Sequence, residues 1–205
     1  MMPIVLSGPL AVLLALLLIL IIGLLVLRGK GDRDWQAETP AEAAGRQGEI
    51  EAAEIIRSVL RQGDRWFTNV TVEYGESETE LDNVIVNQNG VFILEIKNYS
   101  GQLEGGEDDY KWTKYRTSAA GITYAKRVKN PIPQVKREVY LLAKMLEYHG
   151  FRVWIDGYAF LLQGNSPVQN EYILFDADDI DRAVHSAGRQ HLSEDTVQAI
   201  AELMS

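Results

Sequence analysis

Cysteine is absent from the chain. Disulfides, zinc–thiolate sites, iron–sulfur clusters and a cysteine nucleophile are excluded with it. There is no Gly-x-x-x-x-Gly-Lys phosphate loop, no Gly-x-Ser-x-Gly elbow and no internal repeat. His149, His185 and His191 lack metal-ligand spacing and read as structural or exposed residues. Two further absences are local. No charged side chain occurs between Met1 and Leu27, and no acid occurs between Lys111 and Arg137. The 205 residues suffice for one domain of moderate size plus an appendage. The formal net charge of −9 argues against a simple coat for nucleic acid.

The uncharged end is an apolar run. Leu10–Leu27 contains only Ala, Val, Leu, Ile and one Gly. At 1.5 Å per residue it would cover about 27 Å, close to a hydrocarbon core. A cleaved signal peptide should have a basic region before a shorter apolar part, with a small-x-small site after it. Here Arg28, Lys30 and Arg33 follow the run. The pattern predicts an uncleaved single-pass anchor over residues 1–27 in the cell membrane. The positive-inside rule puts the N-terminus outside and the remainder in the cytoplasm. Residues 28–44 then read as a linker, spanning roughly 20–25 Å as a flexible coil.

The centre of the chain is Leu81–Asn98, two short apolar strands joined by a turn containing Asn89-Gly90. Alternation puts Val91, Ile93, Glu95 and Lys97 on one face and the apolar Phe92, Leu94 and Ile96 on the other. If Asn89-Gly90 is the whole loop, Asp82 lies opposite Lys97. If the loop is Asn87–Gly90, Asp82 lies opposite Glu95. Either register predicts Asp82, Glu95 and Lys97 on one face. Two carboxylates that close repel unless a cation lies between them, and Mg²⁺ is the usual hard cation beside phosphates.

Arg46–Leu60 has helical spacing, with Ala52, Ala53, Ile56, Val59 and Leu60 as its apolar stripe. Glu49 leads that stripe; it either favours the helix start through the helix dipole or aims inward toward Asp82 and Glu95. Trp66–Glu73 reads as a strand, Tyr74–Glu80 as a polar turn and Tyr99–Asp109 as loop or hairpin. Lys111–Arg137 carries eight cations, among them Lys111, Lys114, Arg116, Lys126, Arg127 and Lys129, leaving −17 on the rest of the chain. Trp112, Tyr115 and Tyr124 lie among them. Cations interleaved with aromatics suit a phosphate backbone and its bases. Anionic lipid is the competing partner for a tethered basic track. Asn130-Pro131 opens a second helix that runs to Tyr148, with Gln134 in its first turn. Arg152–Leu162 is β-rich, with Gly157 a candidate bulge, and Tyr172–Phe175 is a short strand. Asp176 and Ser193 cap helices over Ala177–Ala187 and Glu194–Met204.

Together Gly48-Glu49, Asp82, Gly90-Val91-Phe92, Glu95-Ile96-Lys97-Asn98, Gly101, Trp112 and Asn130-Pro131 with Gln134 resemble the nuclease-related domain family, NERD, of the restriction-endonuclease-like PD-(D/E)xK superfamily. The resemblance covers residues 45–162. It implies an α/β fold of helix, three antiparallel strands, helix and a further strand, and a metal-dependent nuclease site. Asp82 and Glu95 would hold Mg²⁺, Lys97 would position or activate the attacking water, and Glu49 and Gln134 would complete the site. Leu81 replaces the superfamily's proline, and Asn83 stands where many members carry His. The expected organisation is an anchor (1–27), a linker (28–44), the nuclease-related domain (45–163) and a C-terminal strand and helices on the same domain (164–205). The expected activity is hydrolysis of DNA or RNA. The alternative is an anchored binding module of the same fold that does not cut. Oligomeric state is not specified by the sequence.

Overall fold

The computed structural model describes residues 40–186 and 189–205, and Ala43–Ser205 form one compact unit. The anchor expected over residues 1–27 lies outside the described residues. Among those residues, no helix is long and apolar enough to cross a membrane.

Helix α1 (Pro40–Val59) starts earlier than the apolar spacing indicates, so the end of the expected linker is helical. Pro40 suits a first turn, where its missing N–H has no partner to lose. Three antiparallel strands follow: β1 (Arg65–Tyr74), β2 (Ser77–Asn87) and β3 (Gly90–Lys97). The polar turn expected over Tyr74–Glu80 shrinks to Gly75-Glu76, because Ser77–Glu80 pair with Thr71–Tyr74. A second antiparallel sheet comes next, made of β4 (Gln102–Glu104), β5 (Lys111–Thr117) and β6 (Thr123–Lys129). Helix α2 (Pro131–Tyr148) returns the chain to β7 (Ile155–Leu161), which lies parallel to β3. The short β8 (Ile173–Leu174), α3 (Ala177–His185) and α4 (Glu194–Leu203) complete the chain. The main sheet is mixed, in the order β1-β2-β3-β7-β8, so the fold is mixed α/β.

Both faces of this sheet are covered. Leu141, Leu142 and Leu146 of α2 and Val197 and Ile200 of α4 pack on Val84, Val86, Val91 and Ile93. Ala52 and Ile56 of α1 and Ile180 and Val184 of α3 pack on Ile85, Phe92, Leu94 and Phe160. The central strands are therefore apolar on both sides, as strands between two helical layers must be. A third cluster joins Leu103 and Trp112 of the small sheet to Ile132, Val135 and Leu161.

Gly157 is no bulge: it pairs in register with Ile93. A Cβ there would meet Val139 Cγ2 at 2.5 Å and Val135 Cγ1 at 2.6 Å, so its missing side chain lets α2 cross β7 closely. The β2–β3 register matches the longer of the two loops weighed above, Val86 facing Val91. Asn87 and Gly90 pair as well, leaving Gln88-Asn89 as the turn.

Candidate functional site

The site forms where the apolar β3 turns polar. Val91 and Ile93 face α2, and alternation carries Glu95 and Lys97 to the same side. Glu95 is only 2% exposed, a costly place for a carboxylate without partners. Lys97 Nζ donates to its Oε1. Gln134 Nε2 donates to the same oxygen at 2.6 Å and to Glu138 Oε1 at 2.8 Å. Gln134 and Glu138 are four residues apart on α2, hence on one helix face. Glu138 is completely buried. The second oxygens of Glu95 and Glu138 are both buried without a hydrogen-bond partner.

Ionisation follows from this crowding. Burial pushes the Glu138 carboxyl up to about 8, helped by the charge of Glu95. Glu95 is also raised, chiefly by burial, although Lys97 pulls it down. Burial, the largest single influence, lowers Lys97, but the charge and hydrogen bond of Glu95 together with Tyr99 and Asp82 outweigh it and the net shift is upward. Tyr99, two residues on, is raised by its own burial, against the pull of Lys97.

Asp82 reaches the site differently from the one-face expectation. The β1–β2 ladder is continuous on either side of Asn69 and Asp82 but does not include them. Asn69 has φ 54°, in the left-handed region. Across this point both strands change parity. Phe67 and Val70 face one layer, and Leu81 joins Val84 in it. The β2–β3 ladder ends at Asn83 facing Leu94. Asp82 then accepts a hydrogen bond from the Ile96 backbone N–H at 2.8 Å through Oδ2. Its charge reaches Glu95, Lys97 and Glu138, raising all three. Asp82 also lines a hollow of about 210 Å³ on the α1 side, together with Glu49 and Asn69.

Glu49 itself is exposed on α1 rather than turned inward. Its neighbour Gly48 has the packing role: a Cβ there would meet Asn98 Cβ at 2.8 Å, so glycine lets α1 approach the chain leaving β3. Asn83 is structural, accepting from Trp66 Nε1 at 2.9 Å. Among the described residues, no group of three or more His, Asp or Glu side chains is placed to hold a metal ion.

The basic segment divides. Trp112 is fully buried, its Nε1 donating to Gly106 O at 2.9 Å. It cannot stack on a base, which corrects its reading as a nucleic-acid contact. Lys111, Arg116, Lys126, Arg127 and Lys129 are exposed and Lys114 is half-buried. Strand alternation splits them between two faces, Lys114, Arg116 and Lys126 on one and Lys111, Arg127 and Lys129 on the other.

The structure thus gathers Glu95, Lys97 and Gln134, sets Asp82 beside them and leaves Glu49 on a rim. Sequence reasoning missed Glu138. Its signal is an acid on the apolar stripe of α2, three residues after Val135 and four after Gln134. The family model of the nuclease-related domain, NERD, matches residues 44–162. An uncharacterized protein of Bacillus anthracis, pXO1-01, is 44% identical over 48 residues, 22% of this chain and 22% of that protein, so the match spans about a fifth of the relative's length. No solved structure matches the chain. With the family model covering more than half of its length, the chain belongs to the nuclease-related domain family.

Proposed function

We propose that this chain is a membrane-tethered, Mg²⁺-dependent nuclease that hydrolyses phosphodiester bonds of nucleic acid. The observation that carries the reading is Glu95. It is buried, held through one oxygen by Lys97 and Gln134, and left with its other oxygen unpartnered. A buried carboxylate oxygen left unsatisfied is what a cation relieves. All the acceptors are carboxylate oxygens, the set a hard cation prefers, and Mg²⁺ uses only one or two protein carboxylates while keeping its waters. Asp82 and Glu95 would hold it. A Mg²⁺ held by these two carboxylates would supply an acidified water and neutralise charge on the phosphate.

The remaining work falls to the chain. Gln134 fixes one oxygen of Glu95 and leaves the other uncommitted. Lys97 stays charged beside Glu95 and can stabilise negative charge developing on a phosphate or orient the attacking water. Asp82 is steadied by the Ile96 amide. The order α1, three antiparallel strands, α2, β7 supports the restriction-endonuclease-like reading.

Cleavage of DNA and RNA by the purified full chain with Mg²⁺ tests this. Glu95→Gln and Lys97→Met should each lower the rate by at least about 10²-fold, the scale for losing one group that stabilises developing charge. Equal product from wild type and both variants would mark a contaminant and reject the proposal. The ion pair that already gives the Glu95 carboxylate a cation of its own, Lys97, favours a second reading, a module that binds without cutting. Salt-dependent binding without product, unchanged by Asp82→Ala, would support that reading instead.

A further inference from the structure

Strand β6 offers solvent both of its faces: Thr123, Tyr124, Ala125, Lys126 and Arg127 are all exposed. A strand in a packed sheet buries at least one face. On the other side of β5, β4 pairs only with Thr113–Tyr115. The far part of the β5–β6 hairpin therefore stands clear as a two-stranded ribbon. Such ribbons are marginal by themselves. This one is braced at its tip, where Thr117 and Thr123 hydroxyls bond at 3.0 Å and the Ser118 N–H donates to Ile122 O at 2.9 Å. Gly121, with φ 77°, closes the turn.

The ribbon also carries charge that works against its own folding. Lys114 lies directly opposite Lys126, and Lys111 opposite Lys129. Like charges facing across a ladder are destabilising. No acid occurs anywhere in Lys111–Arg137, and the acid this sheet brings near them is Glu104 of β4, facing Thr113. Burial and the neighbouring Arg116 and Lys126 hold the Lys114 ammonium below its usual range. A flat anionic surface would meet only one face of the ribbon. A single strand would call for a row of exposed aromatics, but Trp112 is buried and Tyr124 is the one exposed ring of the two strands. A groove between two phosphate walls meets both faces.

Dimensions select the groove. Each strand has seven residues, so the whole hairpin, including its base in the three-stranded sheet, is about 23 Å long. The B-form major groove, about 12 Å wide, admits a two-stranded ribbon, whereas the A-form major groove of RNA is deep and narrow. The tip residues Ser118, Ala119, Ala120 and Gly121 are small enough for close approach. We propose that the β5–β6 hairpin enters the major groove of duplex DNA, its two cationic faces meeting the phosphates of opposite walls. This rests on the nuclease reading of the adjoining site and names its substrate. The base of the ribbon is tied to that site, since Tyr99, two residues beyond Lys97, donates its hydroxyl to Lys129 O at 3.0 Å.

Binding by the full chain in EDTA, where a metal-dependent cut cannot occur, provides the test. Fluorescence anisotropy would compare one labelled sequence as duplex DNA, single strand and duplex RNA. Vesicles containing phosphatidylserine serve as the lipid competitor. Duplex DNA should bind tightest. The variants K114Q/R116Q/K126Q and K111Q/R127Q/K129Q should each weaken binding by roughly tenfold or more and flatten the log–log salt slope by about 2 to 3. Methyl green, a major-groove ligand, should displace the wild-type chain, and netropsin, a minor-groove ligand, should not. This competition needs no variant to fold. Wild-type affinity in either triple variant would overturn the proposal. So would displacement by netropsin, equal affinity for single strands or duplex RNA, or release of the DNA by phosphatidylserine vesicles but not by phosphatidylcholine vesicles, which would hold the proposed anchor alike. Binding retained with no cleavage in Mg²⁺ would sink the nuclease reading alone. Cleavage retained by both triple variants at wild-type affinity would sink the ribbon alone.

Discussion

At the scale of single residues, Glu138 carries the largest electrostatic strain. It is completely buried, and its carboxyl is pushed from an ordinary value near 4.5 to about 8, by burial first and by Glu95 second. Between those values the folded chain holds a proton that the unfolded chain has released. Stability must then fall as pH rises through that window, at up to about 1.4 kcal/mol per pH unit for one group. Glu138→Gln removes the ionisation. Its stability should match or exceed that of the wild type at the upper end of the window, and its pH slope should be flatter. Urea unfolding across the window in EDTA checks this, and parallel curves would refute it. The other site residues differ in how legible they are from residue pattern alone. Glu95-x-Lys97 stands out because it interrupts an apolar strand. Glu138 does not, because a lone acid inside a helical stripe looks like an ordinary exception to the pattern. The reading of His185 as structural agrees with its place between two carboxylates, 2.8 Å from Asp181 Oδ1 and 2.9 Å from Asp64 Oδ2.

At the scale of elements, the break at Asn69 and Asp82 decides the geometry of the site. Strict alternation through β2 would put Leu81 on the same side as Ile85, yet Leu81 packs with Val84. The change of parity releases Asp82 from the ladder and sends its carboxylate to the Ile96 amide. Asn tolerates the left-handed conformation, Gly adopts it freely and a β-branched residue resists it. Asn69→Gly should therefore keep the hydrogen bond from Ile96 to Asp82. Asn69→Val should lose about 1–3 kcal/mol of stability and weaken that bond. The Ile96 amide proton, followed by NMR, should stay in place in the glycine variant and move upfield in the valine variant. Identical spectra for the two would show that backbone conformation at Asn69 does not position Asp82. Periodicity foretold the helices and central strands because their apolar faces are continuous. It could not foretell this break, which changes no residue type. The β4–β6 sheet was hidden for another reason: β6 buries almost nothing, so the alternation that marks a strand is missing.

At the scale of the whole molecule, charge is unevenly distributed along the chain. A chain of net charge −9 concentrates +8 in Lys111–Arg137 and leaves its first 27 residues uncharged. An acidic body repels polyanions in general, so contact with nucleic acid has to pass through the basic hairpin. Tethering at the inner face of a membrane would add a second constraint, because anionic lipid there competes for the same cations. The proposed anchor over residues 1–27 has a testable orientation. Since the chain contains no cysteine, each engineered thiol is a unique reporter. In intact cells a membrane-impermeant maleimide should label Met2→Cys but not Ser205→Cys, with the second thiol reacting only after lysis. Alkaline carbonate should leave the protein in the membrane pellet. Labelling of Ser205→Cys in intact cells would reverse the orientation and take the domain away from cytoplasmic nucleic acid. Release into the carbonate wash would reject the anchor while leaving the chemistry of Glu95 and its neighbours to be judged by cleavage alone.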